Sequence, residues 1–215
     1  MTRPIVIAVD GPLASGKGTV ARALAAHFNL PFMDTGSLYR GVAVAMMQAG
    51  ADPGDAGLAE SFARDLDPSS IREADIRTAH AGAVASIVSA HSGVRHALFK
   101  LQQDFAHSDE GAVLDGRDIG TVIAPDADVK LFVTASEEVR AGRRHAELMH
   151  RGEEVSFEQV LSQLRERDGR DAGRQDAPMQ MADDAIELDT SDMTIDQAIK
   201  SAIQTIQDKL AQSVR

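Results

Sequence analysis

Short apolar runs of strand length alternate with helically spaced apolar positions along most of the chain. Ile5–Val9 is continuous and largely β-branched, as expected of a strand buried on both faces. Val20–Phe28 follows as an alanine-rich helix with Leu24 and Phe28 on one face. Pro31–Met33 predicts a short second strand and Leu38–Gln48 a second helix. Ala112–Leu114, Val129–Val133 and Ile186–Leu188 predict three more strands. Ile195, Ala198, Ile199, Ala202, Ile203, Ile206 and Leu210 keep helical spacing, with Thr194 and Gln197 as a capping box at the start. This alternation predicts an α/β protein built on a parallel sheet with flanking helices.

Two stretches leave the pattern. Residues 51–93 are polar and rich in alanine and serine, which predicts a small helical insertion. Residues 149–176 are dense in Arg, Glu and Asp and predict one or two solvated helices with a hinge at Gly169 or Gly173. The expected core is then 1–50, 94–148 and 177–215, carrying two appendages.

Composition narrows the function. The net charge is −11, with few aromatic residues, which argues against a nucleic-acid partner, since polyanion binders usually carry a basic face and stacking rings. No cysteine is present, so disulfides, a thiolate nucleophile and cysteine-ligated zinc are excluded. The seven histidines lack metal-ligand spacing. The apolar start is stopped by Asp10, too short for a signal peptide, and no stretch is long enough for a membrane span. A cytoplasmic protein with no membrane partner is expected.

The chemistry begins at Gly11-Pro12-Leu13-Ala14-Ser15-Gly16-Lys17-Gly18-Thr19, directly after the first strand and opening the first helix. The spacing is that of a phosphate loop, with a glycine inserted between the lysine and the hydroxyl residue. Its glycines let backbone N–H groups curl toward one phosphate, and the helix N-terminus adds partial positive charge. Lys17 can reach the β- and γ-phosphates of ATP, and Thr19 or Ser15 can face the phosphates or Mg²⁺. The same loop serves motors, GTPases and kinases. No Asn-Lys-x-Asp guanine motif is present, which counts against a GTPase.

Three further clusters suit a second phosphate site. Asp34-Thr35-Gly36-Ser37-Leu38-Tyr39-Arg40 puts a guanidinium at the start of a helix, where it can clamp a phosphate through two parallel bonds or simply sit on the surface. Asp115-Gly116-Arg117-Asp118-Ile119-Gly120-Thr121 follows the third strand, at the sheet edge where α/β proteins bind ligands. There Asp115 is placed to hold a water bound to Mg²⁺. Arg165 to Arg174 carries four arginines, which either face solvent or supply charge for phosphoryl transfer.

With these clusters the sequence resembles the bacterial cytidylate kinases, of the P-loop nucleoside monophosphate kinase superfamily. The matching stretches are Ile7–Thr19, Met33–Arg40, Gly93–Leu98, Leu114–Ala127 and Leu164–Arg174. The resemblance implies a P-loop NTPase-like fold with an acceptor-binding insertion at 51–93, shorter than the family's usual one, and an Arg-rich lid at 149–176. It implies transfer of the γ-phosphoryl group of MgATP to CMP or dCMP, giving ADP and CDP or dCDP, by direct in-line transfer. Gly11–Thr19 would hold ATP. Ser86, Arg95 and Asp118 would contact cytosine; Arg40, Arg117 and Arg174 the acceptor's α-phosphate; Arg167 and Asp171 the ribose hydroxyls and nearby phosphate. Asp34 and Tyr39 would flank the acceptor. Lys17, Arg117, Arg167 and Arg174 would stabilise the transferring group. The chain is expected to act as a monomer.

Overall fold

Five short strands, β1 (Val6–Asp10), β2 (Phe32–Asp34), β3 (Ala112–Asp115), β4 (Val129–Thr134) and β5 (Ile186–Asp189), form one sheet in the order β2–β3–β1–β4–β5 in the computed structural model, which describes residues 4–213. β1 pairs in parallel with β3 and with β4, and β4 in parallel with β5. The central position of β1 explains its composition. Ile7, Ala8 and Val9 have no exposed surface, and a strand covered on both faces has no place for polar side chains until it ends. Helices α1 (Lys17–Phe28) and α9 (Ile195–Ser213) pack together, and Leu24 and Ile206 join Ile7, Val9, Leu131 and Val133 in one core. Thr194 and Gln197 do form the capping box, through Gln197 N to Thr194 Oγ1 at 3.2 Å and Thr194 N to Gln197 Oε1 at 2.8 Å.

Packing divides the chain into two compact units. One runs to Met33 and resumes at Phe105; the other is Asp34–Asp104. The second contains α2 (Thr35–Gln48), α3 (Ala56–Arg64), α4 (Glu73–Ile76), α5 (Ala79–Val88) and most of α6 (Ser92–Ala106), with no strand among its described residues after β2. Its polar, loop-like residues are caps. Asp55 accepts from the amides of Gly57 and Leu58, Asp67 from Ser69 and Thr78 from Ala81. α2 packs on α3, α4 and α5, and Gly41 lets the following chain lie close, since a Cβ there would come within 2.9 Å of Ile71 Cδ1.

In the first unit α7 (Glu137–His150) packs on α8 (Phe157–Ala172). The expected hinge at Gly169 or Gly173 is not what forms. α8 runs through Gly169 as one helix, and Gly173 is its C-cap at a right-handed φ of −86°. A capping box at Ser156 and Gln159, buried Val160 and Leu164, and the Glu166–Arg170 pair carry the helix past its glycine, whose cost is only about 1 kcal/mol. No helix among the described residues is long and apolar enough to cross a membrane.

Leu24→Ala, which opens a void beside β1, should lower unfolding stability by about 3 kcal/mol in urea titration. A loss under about 1 kcal/mol would show that α1 contributes little to this core.

Candidate functional site

Where β1 ends, the chain turns over Gly11 at φ 144°, where a Cβ would lie 2.0 Å from the Val133 carbonyl oxygen, so no other residue fits. Ala14 follows in the left-handed region at φ 60°, a conformation that costs an L-residue about 1 kcal/mol. Gly16, also left-handed, is the N-cap of α1. The loop therefore delivers its last residues to a helix N-terminus, where N–H groups lack intrahelical acceptors. Lys17 Nζ stands 3.8 Å from Asp115 Oδ1 on the neighbouring strand β3. A Cβ at Gly18 would come 3.0 Å from Asp115 Oδ2, which gives the inserted glycine a physical reason. Ser15 is fully buried and its hydroxyl makes no hydrogen bond among the described residues, whereas Thr19 is exposed.

Behind the loop stands a set of polar contacts that no motif announces. Thr190, just past β5, donates its hydroxyl to the Ser15 carbonyl at 2.8 Å. Arg143 of α7 donates to Thr190 Oγ1 at 2.9 Å, to the Thr190 carbonyl at 2.7 Å and to the Ser15 carbonyl at 3.3 Å. Arg140, one turn earlier and buried, donates to the carbonyls of Ala135 and Leu13 and to Asp168 Oδ2 at 2.7 Å. Arg140 and Arg143 lie three apart on α7 and so share a face. That spacing was the available signal, hidden because a buried arginine does not register in a hydrophobic pattern.

Three of the predicted phosphate-binding arginines converge on one carboxylate. Asp171, 1% exposed, accepts from Arg117 Nε at 3.0 Å and from Arg174 Nη2, and Arg167 Nε lies 4.0 Å away. Burial alone would raise the Asp171 pKa, but Arg117, Arg174 and Arg167 outweigh it and hold the carboxyl below the ordinary range. Burial opposes the charge on Arg117 too, yet Asp171, with Asp115 and Asp168, raises its pKa beyond the usual guanidinium value. Arg165 and Arg170 are not part of this cluster. They pair with Glu137 and Glu166 at 2.8 and 2.7 Å on the exposed side of α8.

The segment after β3 forms a π-helical turn, Ile119–Ile123, with Asp118 at its N-cap, buried. Its leading amides are taken by Asp10, the last residue of β1, whose two carboxylate oxygens accept from Ile119 N at 2.9 Å and Gly120 N at 2.8 Å. Burial pushes the Asp10 carboxyl up to about 7; the two amides oppose the rise, and the negative charges of Asp118 and Asp115 add to it. Asp10 was legible only as the end of a strand, although a carboxylate closing a wholly buried run was itself a signal.

The remaining predicted residues belong to the second unit. The Arg95 guanidinium lies over the Tyr39 ring, 5.7 Å from its centroid, and both residues are buried. Ser86 of α5 is 1% exposed, and its hydroxyl makes no hydrogen bond among the described residues. Asp34 is the N-cap of α2, and Arg40 is half-buried on the same helix. Among the described residues no group of three or more His, Asp or Glu side chains forms a metal cluster.

Asp171→Asn should cost about 3 kcal/mol at pH 7, because it leaves buried guanidiniums without their shared counter-charge. The pKa of Asp171 is depressed on folding, so its contribution is present above the unfolded value of 3.8 and is lost as pH falls through the lower folded value. In denaturant titrations the gap to wild type should hold down to about pH 4 and close only below it. A gap that already closes between about pH 7 and 5 would assign the destabilisation to another group.

Residues 7–208 match the profile of the family described as cytidylate kinase. The chain is 54% identical over 202 residues to a cytidylate kinase of Caulobacter sp. (strain K31), covering 94% of each chain, so the two are nearly equal in length. It is 53% identical to one from Xanthobacter autotrophicus (strain ATCC BAA-1158 / Py2), covering 96% of this chain and 99% of that one. Among solved structures, a gluconokinase from Sinorhizobium meliloti 1021 superposes with a TM-score of 0.53 at 18% identity, covering 100% of this chain and 97% of that one, a likeness of fold. On the match of both sequence profile and relatives, the chain belongs to the cytidylate kinase family.

Proposed function

We propose that the protein transfers the γ-phosphoryl group of ATP to CMP or dCMP, acting as a monomer in the cytoplasm. The observation that carries this reading is the meeting of Arg117 with Asp171, 54 positions apart, which brings three arginines to one point in the unit that also holds the phosphate loop. One phosphate loop serves the donor. A separate concentration of guanidinium groups suits a second phosphorylated substrate.

In the proposed reaction an oxygen of the acceptor's α-phosphate attacks the γ-phosphorus. The new P–O bond forms as the bond to the β-phosphate bridging oxygen breaks, and that electron pair leaves with ADP. The attacking oxygen is anionic at neutral pH, so no general base is needed. The loop from Gly11 to Thr19 orients the donor, Lys17 bears on its β- and γ-phosphates, and Arg117, Arg167 and Arg174 stabilise charge spread over the transferring group. Arg40 joins Arg117 and Arg174 on the acceptor phosphate, while Asp171 and Arg167 meet the ribose. A magnesium ion would suit the oxygen donors here, and Asp115 would hold it through water, with Thr19 or the Ser15 hydroxyl, which lacks a hydrogen bond among the described residues, as a further donor. When bound it neutralises phosphate charge.

Cytosine offers an amino donor at N4 beside acceptors at N3 and O2. The proposed readers are matched to it. Asp118 accepts from N4, Arg95 donates to the ring acceptors, and the Ser86 hydroxyl, buried without a hydrogen-bond partner, would gain one. Uracil would face Asp118 with a second acceptor, a mismatch worth about 1–3 kcal/mol. Residues 51–93 are proposed as the acceptor insertion and 149–176 as a lid whose closure excludes water.

Initial rates of ADP formation from MgATP with CMP, dCMP, UMP, AMP or GMP test the assignment. High rates with CMP and dCMP alone are expected; a preference for AMP would move the acceptor assignment elsewhere. Lys17→Ala should reduce kcat by about 10²–10³-fold while the protein remains folded by circular dichroism. Near-normal turnover in that variant would remove the phosphate loop from the reaction.

A further inference from the structure

Arg117 and Asp118 occupy a short segment with a fixed point at each end, and both fixed points belong to β1. On one side Gly116 N donates to the Val9 carbonyl at 3.0 Å. On the other, Ile119 N and Gly120 N donate to the two oxygens of Asp10 at 2.9 and 2.8 Å. Within the turn, Val122 N and Ile123 N bond to the Asp118 carbonyl and Ala124 N to the Ile119 carbonyl. The amides of Ile119 and Gly120 come before the first closed ring and need an acceptor from elsewhere.

An aspartate at the N-cap ordinarily supplies that acceptor with its own side chain. Asp118 holds the N-cap position, yet its carboxylate does not cap the turn. The cap comes from a residue 109 positions earlier in sequence than Ile119, at the start of the phosphate loop. We propose that Asp10 is a positioning residue for the acceptor: by capping the Ile119–Ile123 turn in place of Asp118, it sets the direction of the Asp118 and Arg117 side chains. The proposal rests on the reading of Asp118 and Arg117 as acceptor residues. It also gives the sequence Asp10-Gly11 two duties, since the residue that closes the strand before the donor loop fixes the loop that reads the acceptor.

The packing around the cap is close on its far side. A Cβ at Gly120 would lie 3.0 Å from Lys130 Cδ, 3.2 Å from Lys130 Cγ and 3.4 Å from Asp10 Oδ2. Lys130 is itself buried and held to Asp184 at 2.8 Å. Gly120 therefore sits between the Lys130 stem and the Asp10 carboxylate with little room for a side chain.

Asp10→Asn keeps the shape of the side chain but turns one acceptor into a donor that faces an N–H. Steady-state kinetics of this variant should show KM for CMP raised about tenfold or more, and CMP-over-UMP selectivity in kcat/KM reduced by a similar factor, with KM for ATP within about twofold of wild type. Asp118→Ala, measured in parallel, should raise KM for CMP at least as much. No change in KM for CMP or in selectivity with Asp118→Ala would overturn the acceptor reading, and the cap's role with it. If Asp118→Ala responds as expected, the cap's role is overturned by an Asp10→Asn variant in which both KM values are unchanged or rise together. Should Asp10→Asn fail to fold, Gly120→Ala presses on the same cap from the other side. The same split between CMP and ATP is expected of it, and a parallel rise in both KM values would count against the proposal.

Discussion

A protein that binds two nucleotides must keep several positive charges close together even when no phosphate is present. Here Arg117, Arg167 and Arg174 gather on the carboxylate of Asp171, which is almost wholly buried. Without it the three guanidiniums would repel one another in a region of reduced dielectric, where like charges cost more than in water. With it, Arg117 on the segment after β3, Arg167 on α8 and Arg174 just beyond its C-cap are placed by one shared carboxylate. Much of the proposed chemistry depends on this pairing, because the arginines that meet substrate are already oriented by an internal anion. In the proposed reaction a substrate phosphate would exchange one anionic partner for another instead of having to assemble the group.

The phosphate loop is held in a different way. Its backbone bends through left-handed Ala14 and Gly16, and the strain is held by contacts to carbonyl oxygens on its rear. Thr190 and Arg143 fix the Ser15 carbonyl, and Arg140 fixes that of Leu13. With those acceptors engaged from behind, the backbone of the loop is held fixed where the proposed reaction calls for a nest for phosphate. Arg140 also grips Asp168 on α8, so the helix carrying Arg167 and the loop carrying Lys17 are tied to one side chain.

Strands, helices and the phosphate loop were legible because their signals are local: a β-branched run, a glycine spacing, a 3.6-residue repeat. The arginine cluster was legible in type from the residues, and its selection of Arg117, Arg167 and Arg174 over Arg165 and Arg170 came from the family resemblance. Arg167 and Asp171 fall at i and i+4 on α8 and Arg174 lies just beyond its C-cap, whereas Arg165 and Arg170 pair with surface glutamates. Helical phase alone does not separate Arg170 at i+3 from Asp171 at i+4; the Glu166 carboxylate one turn earlier draws Arg170 away. Ser86 and Arg95 have no such periodic signal. Their burial comes from packing within the second unit, which polar sequence does not announce. Asp10, Arg140, Arg143 and Thr190 were missed for a shared reason: each acts on backbone groups far away in the chain, and backbone acceptors leave no trace in side-chain patterns.

The Thr190 contact has a consequence for how the chain is made. The phosphate loop occupies residues 11–19 and leaves the ribosome well before the hydroxyl that secures its Ser15 carbonyl, which arrives with Thr190. At usual elongation rates that interval is about 10–30 s. Throughout it, β5 is missing from the sheet edge and the loop lacks part of its rear support. A nascent chain interrupted before Thr190 therefore holds the nucleotide-binding motif in its sequence without the architecture that makes it rigid.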